Sequence, residues 1–391
     1  MPDRRLCVAI NAAFWGQETV GSGQYLHHLV EALLGLDDAP EVVLVEQGPA
    51  PAGRPVPAGA TWRAVDPSPL RRLGENPEKV WFEQVAFPRA ARAAGAAVAH
   101  VPYFASPRFP AQPTVVTVHD LIPLVVPGYR SSALVRAYMR LVAAAARRAD
   151  LVLTDARATV GEIVRRLGVP AERVRAIPLA AAGAYRPVWG EALAAMRARY
   201  GLPEVYLLYL GGFDLRRNLA TLFRALALAR RRDPALPPLV LGGALPPADT
   251  PFAPDPRRLA AEAGVGEGVR FLGRVPEEDK PALYSGALAF LFPSRYEGFG
   301  LTVLEALACG TPAAVADATS LPEVAGPGAL LVGPDDVPGW AEAIERLASD
   351  EALRAQLRAR GLEHAARFSW QRTARETLAA YRQVARPGLS L

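Results

Sequence analysis

Short apolar runs alternate with helix-period segments along the first half of the chain. The helical segments carry apolar residues at intervals of three and four, and the apolar runs between them have the length of strands. Continuous apolar strands between helices are typical of a parallel sheet that is covered on both faces. The predicted strands are Leu6–Asn11, Val42–Glu46, Ala97–Pro102, Thr114–His119, Leu151–Thr154 and Val174–Pro178. The predicted helices are Tyr25–Leu36, Trp81–Ala94, Ala133–Ala149 and Thr159–Leu167.

The same alternation returns in the second half. The predicted strands there are Tyr206–Tyr209, Leu239–Leu241, Val269–Leu272, Ala289–Phe292, Ala313–Ala316 and Ala329–Val332, with helices such as Leu219–Arg231 between them. We therefore expect an α/β fold of two Rossmann-like domains that face each other across a cleft. Residues 1–185 would form the first domain, completed by a C-terminal helix at 370–391, and residues 186–369 the second. Residues 49–78, rich in Pro, Ala and Gly, are expected to form a loop.

Charge is unevenly distributed along the chain. Residues 1–190 contain 21 Arg and Lys against 16 Asp and Glu, so this half carries the whole net charge of +5. The excess is consistent with an anionic acceptor or peripheral contact with an anionic membrane surface, and equally with an arginine-rich proteome. No nucleic-acid module is present, so nucleic acid is not an expected partner.

Cysteine usage and hydropathy bear on location. Cys7 and Cys309 are the only cysteines, which argues against a disulfide framework and favours a reducing compartment. The first residues lack the features of a signal peptide, and no apolar run is long enough to span a bilayer. A cytoplasmic protein is expected, at most peripheral at the inner membrane face.

One segment contains two carboxylates eight residues apart, Glu297 and Glu305. Gly298 and Gly300 allow close approach of the backbone to a ligand, and the apolar spacing that follows predicts a helix beginning near Gly300. The free N–H groups of that helix start favour a phosphate. Glu305, about one turn in, would reach a ribose, and Glu297 the group beyond the phosphates. The arrangement is typical of a nucleotide-sugar site.

Two adjacent guanidinium groups follow another predicted strand and a Gly turn that includes Gly212. Arg216 and Arg217 could neutralise a diphosphate without a metal ion, because each donates in a planar fork and stays charged. A solvated loop pair is the alternative. Asn218 is expected to cap the next helix.

Further candidates follow strands or glycine turns in the first half. His119 and Asp120 end a strand, where a histidine can contact a sugar hydroxyl or support developing positive charge. Gly23 belongs to a glycine pair that lacks the third glycine of a dinucleotide fingerprint, so a nicotinamide oxidoreductase ranks low. His100 is expected in the core. Glu83 could contact an acceptor, although a helical glutamate is usually solvated.

These motifs occur in an order that resembles the family 4 retaining glycosyltransferases of GT-B fold, and within them a mannosyltransferase-like subgroup. The motifs are Glu297-Gly-Phe-Gly-Leu-Thr-Val-Leu-Glu305, Gly-Gly-Phe-Asp-Leu-Arg-Arg-Asn, Val-His119-Asp120 and Phe368-Ser-Trp. The chain departs from the family pattern at Arg217, where lysine is usual, and at Ala156, where serine is common.

The resemblance implies a role for each matching residue. The donor sugar would contact Glu297, the ribose Glu305, and the diphosphate Arg216 and Arg217. His119 would contact the sugar near the reacting carbon. The catalytic candidates that the resemblance implies are His119, Glu297, Arg216 and Arg217. The implied donor-binding set is Gly23, Gly212, Arg216, Arg217, Glu297, Gly298, Phe299, Gly300, Leu301, Thr302 and Glu305. The implied acceptor-side set is Tyr103, Asp120 and Glu83.

The expected activity is metal-independent transfer of a hexose from a nucleotide-diphosphate sugar to a hydroxyl of a glycan, glycolipid or small molecule, with retention. GDP-mannose is favoured over UDP-hexoses by the resemblance. No cofactor is expected, because the sequence has no Asp-x-Asp pair and no metal-spaced His/Cys cluster. Two alternatives stay open on the same fold: a nucleotide-sugar epimerase, and a non-catalytic subunit that binds a sugar nucleotide.

Overall fold

The computed structural model describes residues 5–17, 20–129 and 132–385 of the 391-residue chain. These fall into two compact units. Unit 1 comprises residues 1–179 and 369–391, and unit 2 comprises residues 180–368. The first unit ends at Leu179, whereas the sequence placed the first domain's end at residue 185.

Unit 1 is built on a seven-stranded parallel sheet with the order β3-β2-β1-β4-β5-β6-β7. Most of these strands are buried on both faces, which is why they have the continuous apolar character of parallel strands. The strands are β1 (Cys7–Asn11), β2 (Glu41–Gln47), β3 (Ala60–Val65), β4 (Val98–Val101), β5 (Thr114–Thr117), β6 (Leu151–Thr154) and β7 (Val174–Ala176). The covering helices are α1 (Gly21–Leu34), α2 (Glu75–Trp81), α3 (Phe87–Ala93), α4 (Ile122–Val125), α5 (Ala133–Ala146) and α6 (Arg157–Leu167).

The expectation of a loop or weakly ordered excursion over residues 49–78 is wrong in part, because β3 lies within it and α2 begins within it. β3 pairs only with β2, at the edge of the sheet, and none of its residues is buried. A partly solvated edge strand does not need a continuous apolar run. The Trp62 indole donates to the Gly48 carbonyl at 3.1 Å, which fixes this strand to the preceding turn.

The single helix predicted over Trp81–Ala94 is interrupted in the structure. A π-helical turn, Phe82–Ala86, separates α2 from α3. Glu83 lies on this turn and its residue surface is fully buried, so the expectation of a solvated glutamate is wrong. The wider π turn changes the helical phase, which an apolar-periodicity argument does not detect.

Unit 2 repeats the architecture with a six-stranded parallel sheet in the order β10-β9-β8-β11-β12-β13. The two parallel sheets with covering helices confirm the prediction of two Rossmann-like domains. The strands are β8 (Leu207–Leu210), β9 (Leu239–Gly242), β10 (Val269–Gly273), β11 (Ala289–Phe292), β12 (Ala313–Ala316) and β13 (Ala329–Val332). The helices are α7 (Glu191–Tyr200), α8 (Leu219–Arg232), α9 (Pro256–Glu262), α10 (Lys280–Ser285), α11 (Leu301–Ala308), α12 (Leu321–Ala325), α13 (Val337–Ser349) and α14 (Glu351–Ala365).

The last helix, α15 (Trp370–Val384), belongs to unit 1. Its Tyr381 hydroxyl lies 2.7 Å from His100 Nδ1, and its Thr373 hydroxyl donates to the Pro178 carbonyl at 2.6 Å. Trp370 stacks on His28 of α1 with ring centroids 4.9 Å apart. His100 is buried by these contacts, as expected of a core residue. Among the residues described, none of the helices is both apolar enough and long enough to cross a bilayer.

Candidate functional site

In unit 2, two arginines converge on one carboxylate. Arg216 and Arg217 lie on a short 3-10 turn between β8 and α8, and Glu297 lies in the loop between β11 and α11. Arg216 Nη1 is 2.9 Å from Glu297 Oε1, and the Arg217 guanidinium also contacts this oxygen. Asp214 balances the charge from the other side, 3.1 Å from Arg216 Nε. Because β8 and β11 are neighbouring parallel strands, their carboxyl ends bring these loops together.

The loop that carries Glu297 is fixed by hydroxyl groups. The Ser294 hydroxyl donates to Glu297 Oε1 at 2.6 Å, and the Glu297 N–H donates to the Thr319 hydroxyl at 3.1 Å. Ser320 donates to the carbonyls of Glu297 and Phe299 at 3.1 and 2.8 Å. Thr319 adopts a left-handed backbone with φ 51°, which is uncommon for a β-branched residue. The position of the carboxylate is therefore set by the two loops that follow β11 and β12.

Gly300 forms the junction between this loop and α11. Its φ is 103°, and a β-carbon there would lie 2.6 Å from a methyl group of Leu321. Both the conformation and the space therefore require glycine. α11 begins at the next residue, Leu301, as the sequence predicted. Leu301 and Thr302 are partly exposed in its first turn, where N–H groups have no carbonyl partner within the helix.

Glu305, the second carboxylate of the motif, lies on α11 and is almost fully buried. The Tyr284 hydroxyl donates to Glu305 Oε2 at 3.1 Å. Burial raises the pKa of Glu305 to about 7, although the positive charge of Lys280 acts in the opposite direction. A carboxyl group with this pKa can accept and donate hydrogen bonds near neutral pH.

The expected capping role of Asn218 is wrong. Its side chain makes no capping hydrogen bond to α8; instead its amide donates to the Pro293 and Pro334 carbonyls at 3.2 and 2.6 Å. The backbone at Asn218 is left-handed, with φ 59°, so the side chain does not point along the helix start as an extended capping residue would. Asn218 thus ties together the loops after β11 and β13.

The other unit 2 candidates surround the same strand ends. Gly212 is exposed after β8, and its carbonyl accepts from the Tyr209 hydroxyl at 2.6 Å. Gly298 and Phe299 are buried in the glycine loop, and Phe299 contacts Phe368 edge to face at 6.1 Å between ring centroids.

In unit 1, His119 lies two residues beyond β5 and uses both ring nitrogens. Nδ1 is 2.8 Å from Asp155 Oδ2, and Nε2 is 3.1 Å from the Pro102 carbonyl oxygen. The edge of Tyr25 packs against the ring at 4.6 Å between centroids. Burial disfavours the charged form of His119, but the Asp155 carboxylate, with smaller contributions from Asp120 and the Pro102 carbonyl, raises the pKa overall.

Sequence reasoning missed Asp155. It directly follows β6, so the strand-end argument that selected His119 and Asp120 would also have found it. Asp120 itself has a local role, because its carboxylate accepts from the Ile122 N–H at 2.9 Å.

Gly23 lies in the first turn of α1, against the chain just before it. A β-carbon at this position would collide with the Gln17 carbonyl. Glycine is therefore required at Gly23 by packing of the backbone.

The remaining acceptor-side candidates, Glu83 and Tyr103, are buried. The Tyr138 hydroxyl donates to Glu83 at 2.9 Å from Oε2, and Lys79 Nζ is 3.9 Å from Oε1. Burial raises the pKa of Glu83 to about 7. Burial and the nearby charge of Glu83 also raise the pKa of Tyr103 well above its usual value.

Sequence comparison covers both units. The family described as "Glycosyl transferases group 1" matches residues 196–364, and "Glycosyltransferase Family 4" matches residues 20–180. The chain is 35% identical over 270 residues to O-antigen chain mannosyltransferase B of Escherichia coli, which covers 68% of this chain and 70% of that protein.

Two longer relatives share less of their length. The serotype-specific mannosyltransferase WbdA of E. coli is 31% identical over 67% of this chain, and the match spans 32% of WbdA. D-inositol 3-phosphate glycosyltransferase of Salinispora arenicola is 35% identical over 60% of this chain, and the match spans 54% of that enzyme. The chain thus spans a third to a half of these two relatives.

Solved structures agree with the fold. Sucrose-phosphate synthase from Thermosynechococcus elongatus superposes with a TM-score of 0.73 and 26% identity, covering 97% of this chain and 99% of that one. WaaG, a glycosyltransferase involved in lipopolysaccharide biosynthesis, gives a TM-score of 0.68 at 16% identity over 96% of this chain and 99% of its own. These likenesses define the class as glycosyltransferases of GT-B fold. Within that class, the chain belongs to the family 4 glycosyltransferases.

Proposed function

We propose that this glycosyltransferase moves a hexose from a nucleotide-diphosphate sugar to a hydroxyl of a glycan, glycolipid or small-molecule acceptor, with retention of anomeric configuration. GDP-mannose is the favoured donor and UDP-hexoses are the next. The likeness to O-antigen chain mannosyltransferase B over 70% of that protein's length supports mannose. The observation that carries the proposal is the convergence of Arg216 and Arg217 on Glu297 beside the start of α11.

Arg216 and Arg217 are assigned to the donor diphosphate. A guanidinium group donates two parallel hydrogen bonds to phosphate oxygens and stays charged at any working pH. The first N–H groups of α11 add the positive end of a helix dipole to the same strand edge. Two fixed cations and a helix start can stabilise the charge that grows on the leaving diphosphate, so the proposal needs no metal ion.

Glu297 and the Gly298–Gly300 backbone are assigned to the transferred sugar, and Glu305 to the ribose. Hydroxyl groups of a sugar both donate and accept, and Glu297 is held in place by Ser294 for such a contact. The residues Gly212, Phe299, Leu301 and Thr302 complete the donor set of unit 2, and Gly23 of unit 1 is assigned to the diphosphate.

The proposed chemistry breaks the bond between the anomeric carbon and the phosphate oxygen. A bond forms on the same face between that carbon and the acceptor oxygen, through a state with oxocarbenium character. The acceptor proton passes to the departing phosphate oxygen, so the reaction balances without a protein base. Interactions that strengthen as the diphosphate gains charge lower the barrier, whereas equal binding of donor and transition state does not.

His119 is assigned to the environment of the reacting carbon, and Tyr103, Asp120 and Glu83 to the acceptor. The Asp155 carboxylate favours the protonated form of His119. A histidine held by one carboxylate and one carbonyl has a fixed ring orientation, as a contact to a sugar hydroxyl requires.

A thermal-shift panel tests donor binding. Ligands that bind the folded chain raise its melting temperature by mass action, so GDP-mannose should give the largest shift among GDP-, UDP-, ADP- and dTDP-sugars. Proton NMR of the product then reports the anomeric configuration, and EDTA should leave the rate unchanged. A chain that alters the donor without any acceptor would instead be an epimerase. Donor binding with no turnover towards any acceptor would identify a non-catalytic subunit.

A further inference from the structure

Two side-chain amides at the carboxyl-terminal edge of the unit 1 sheet are not used by the proposed reaction. Asn11 ends β1 and Gln47 ends β2. The amide nitrogens of both are buried, and among the described residues neither has a hydrogen-bond partner. Buried polar groups in native proteins are nearly always paired, and leaving one unpaired costs on the order of 1–3 kcal/mol. Such atoms at a strand edge point to a ligand.

The orientation of Asn11 is fixed by its own carbonyl oxygen. Oδ1 accepts from the Ala13 N–H at 3.0 Å and from the Tyr103 hydroxyl at 3.4 Å. Both lone-pair directions of the amide oxygen are therefore used, and the NH2 group is directed away from Ala13 and Tyr103. Asn11 is fully buried, so this donor is held rigidly rather than solvated.

The amides share one face of the sheet. Side chains alternate along a strand, so Asn11 lies on the face of Ala9 and Gln47 lies on the face of Val45. Ala9 and Val45 belong to one hydrophobic core, which also contains Tyr103. Asn11, Gln47 and Tyr103 therefore lie on the same face of the sheet, between this core and the carboxyl-terminal edge.

Glu83 adds a carboxylate to the same region. It lies on the π turn between Phe82 and Phe87, two members of that core. Tyr138 donates to it and Lys79 lies 3.9 Å away, with nearly half of the lysine side chain exposed.

We propose that these polar side chains bind an uncharged sugar unit of the acceptor. The subsite residues are Asn11, Gln47, Tyr103 and Glu83. The inference rests on the proposed function, because it names the acceptor class of the same reaction. A sugar hydroxyl accepts from an amide N–H and donates to a carboxylate, which matches both kinds of group at this edge.

A phosphate does not match this edge. Phosphate oxygens mainly accept hydrogen bonds, and their negative charge would lie near the Glu83 carboxyl group in a region of low dielectric. The one lysine nearby already faces Glu83. We therefore expect the acceptor unit bound there to carry no phosphate.

The experiment compares matched acceptors with the full chain and its best donor from the thermal-shift panel. The acceptors are methyl α-glycosides of mannose, glucose, galactose and N-acetylglucosamine, each beside the corresponding α-glycosyl 1-phosphate. The two members of a pair keep the same ring hydroxyls and differ in the charge at the anomeric oxygen. We expect at least one methyl glycoside to be glycosylated with a kcat/KM about tenfold or more above that of its 1-phosphate.

The same substitution, glutamine to alanine, at two positions separates acceptor binding from packing. Gln47→Ala removes an unpartnered buried amide at the carboxyl-terminal edge. Gln112→Ala removes one just before β5, at the opposite edge. Gln47→Ala should raise the acceptor KM about fivefold to tenfold without changing donor hydrolysis in the absence of acceptor. Gln112→Ala should leave both unchanged. Glu83→Gln keeps the size of the side chain. It should reduce the ratio of kcat/KM for the methyl glycoside to kcat/KM for its 1-phosphate.

Each result decides the inference. A preference for the 1-phosphates overturns the subsite, and so does an unchanged acceptor KM in both Gln47→Ala and Glu83→Gln. In either case, transfer of the sugar to an acceptor still supports the proposed function. A chain that binds and consumes no donor in the panel removes the proposed function, and the subsite with it.

Discussion

Asp155 Oδ2 lies 2.8 Å from Nδ1 of His119, and the two residues follow adjacent strands of the unit 1 sheet. The carboxylate raises the pKa of the histidine despite burial. Asp155, which sequence reasoning missed, therefore favours the protonated form of His119, which it predicted.

Replacing this carboxylate tests the pair. Asp155→Asn keeps the size of the side chain but removes the charge, so the His119 pKa should fall, because burial lowers it and the strongest opposing charge is gone. Transfer should slow by roughly tenfold or more if the protonated ring supports the reaction. An NMR titration of the His119 ring protons measures the pKa, and initial rates measure turnover. An unchanged pKa would show that the contact does not set the protonation state.

Arg217→Ala should lower kcat by roughly a hundredfold to a thousandfold, because it removes one donor to the leaving diphosphate. Arg295→Ala is the matched control. Arg295 lies in the Glu297 loop but is more exposed and pairs with Asp335 at 2.5 Å instead of with Glu297. Steady-state rates at saturating donor distinguish the two. Near wild-type turnover by Arg217→Ala would exclude its assignment to the diphosphate.

Glu305→Ala should weaken nucleotide affinity about tenfold, since the ribose would lose a carboxyl group that hydrogen-bonds to its hydroxyls. Tyr284→Phe is a useful companion, because it removes the hydroxyl that donates to Glu305 and leaves the carboxylate in place. Isothermal titration calorimetry with GDP measures both. Tyr284→Phe should keep most of the affinity, and equal affinity of wild type and Glu305→Ala would remove the ribose assignment.

The raised pKa of Glu83 predicts a pH-dependent stability. Its pKa rises from 4.5 to about 7 on folding, so the folded chain holds a proton that the unfolded chain releases. This stabilisation is fully present when the pH is below the pKa of Glu83 in the unfolded chain, and it is lost as the pH rises through 7. Between about pH 4.5 and pH 8, the wild type should lose about 3 kcal/mol relative to Glu83→Gln. Urea unfolding of both proteins across this range provides the measurement, and parallel pH profiles would contradict the shift.

Asn218 allows backbone strain to be separated from hydrogen bonding. Asn218→Gly keeps the left-handed conformation and loses the amide, which should cost about 1–2 kcal/mol of unfolding free energy. Asn218→Ala should cost about 1 kcal/mol more, because a β-carbon is disfavoured at positive φ. Chemical denaturation measures both differences. Equal stability of the two variants would show that the conformation adds no strain.

Buried strands between helices could be predicted from the sequence with their bounds. Leu151–Thr154, Ala289–Phe292 and Ala313–Ala316 match the structure, because a parallel strand buried on both faces is a continuous apolar run. The bounds of the edge strand Ala329–Val332 also match, since all four of its residues are apolar. The edge strand β3 could not be found this way, since none of its residues is buried and its sequence contains Thr61 and Arg63. The burial of Glu83 depends on a π turn, which breaks the periodicity that sequence analysis relies on.

Those features of the site that depend on neighbouring residues in the sequence could be predicted. The Gly300 turn and the start of α11 follow from neighbouring residues, and both were predicted. The contact of both arginines with one oxygen of Glu297 joins residues about 80 positions apart. Such a contact depends on the pairing of β8 with β11, which no local pattern specifies. The same holds for Asp155 and His119.

Unit 1 is assembled from two separate stretches of the polypeptide, and α15 is the later one. During synthesis, the ribosome produces all of unit 2 before Tyr381 can reach His100. Unit 2 is one uninterrupted stretch and can fold as soon as it emerges, whereas unit 1 waits for its closing helix. A nascent chain stalled near residue 368 would leave α1 without the contacts that α15 makes with it, including the stacking of Trp370 on His28.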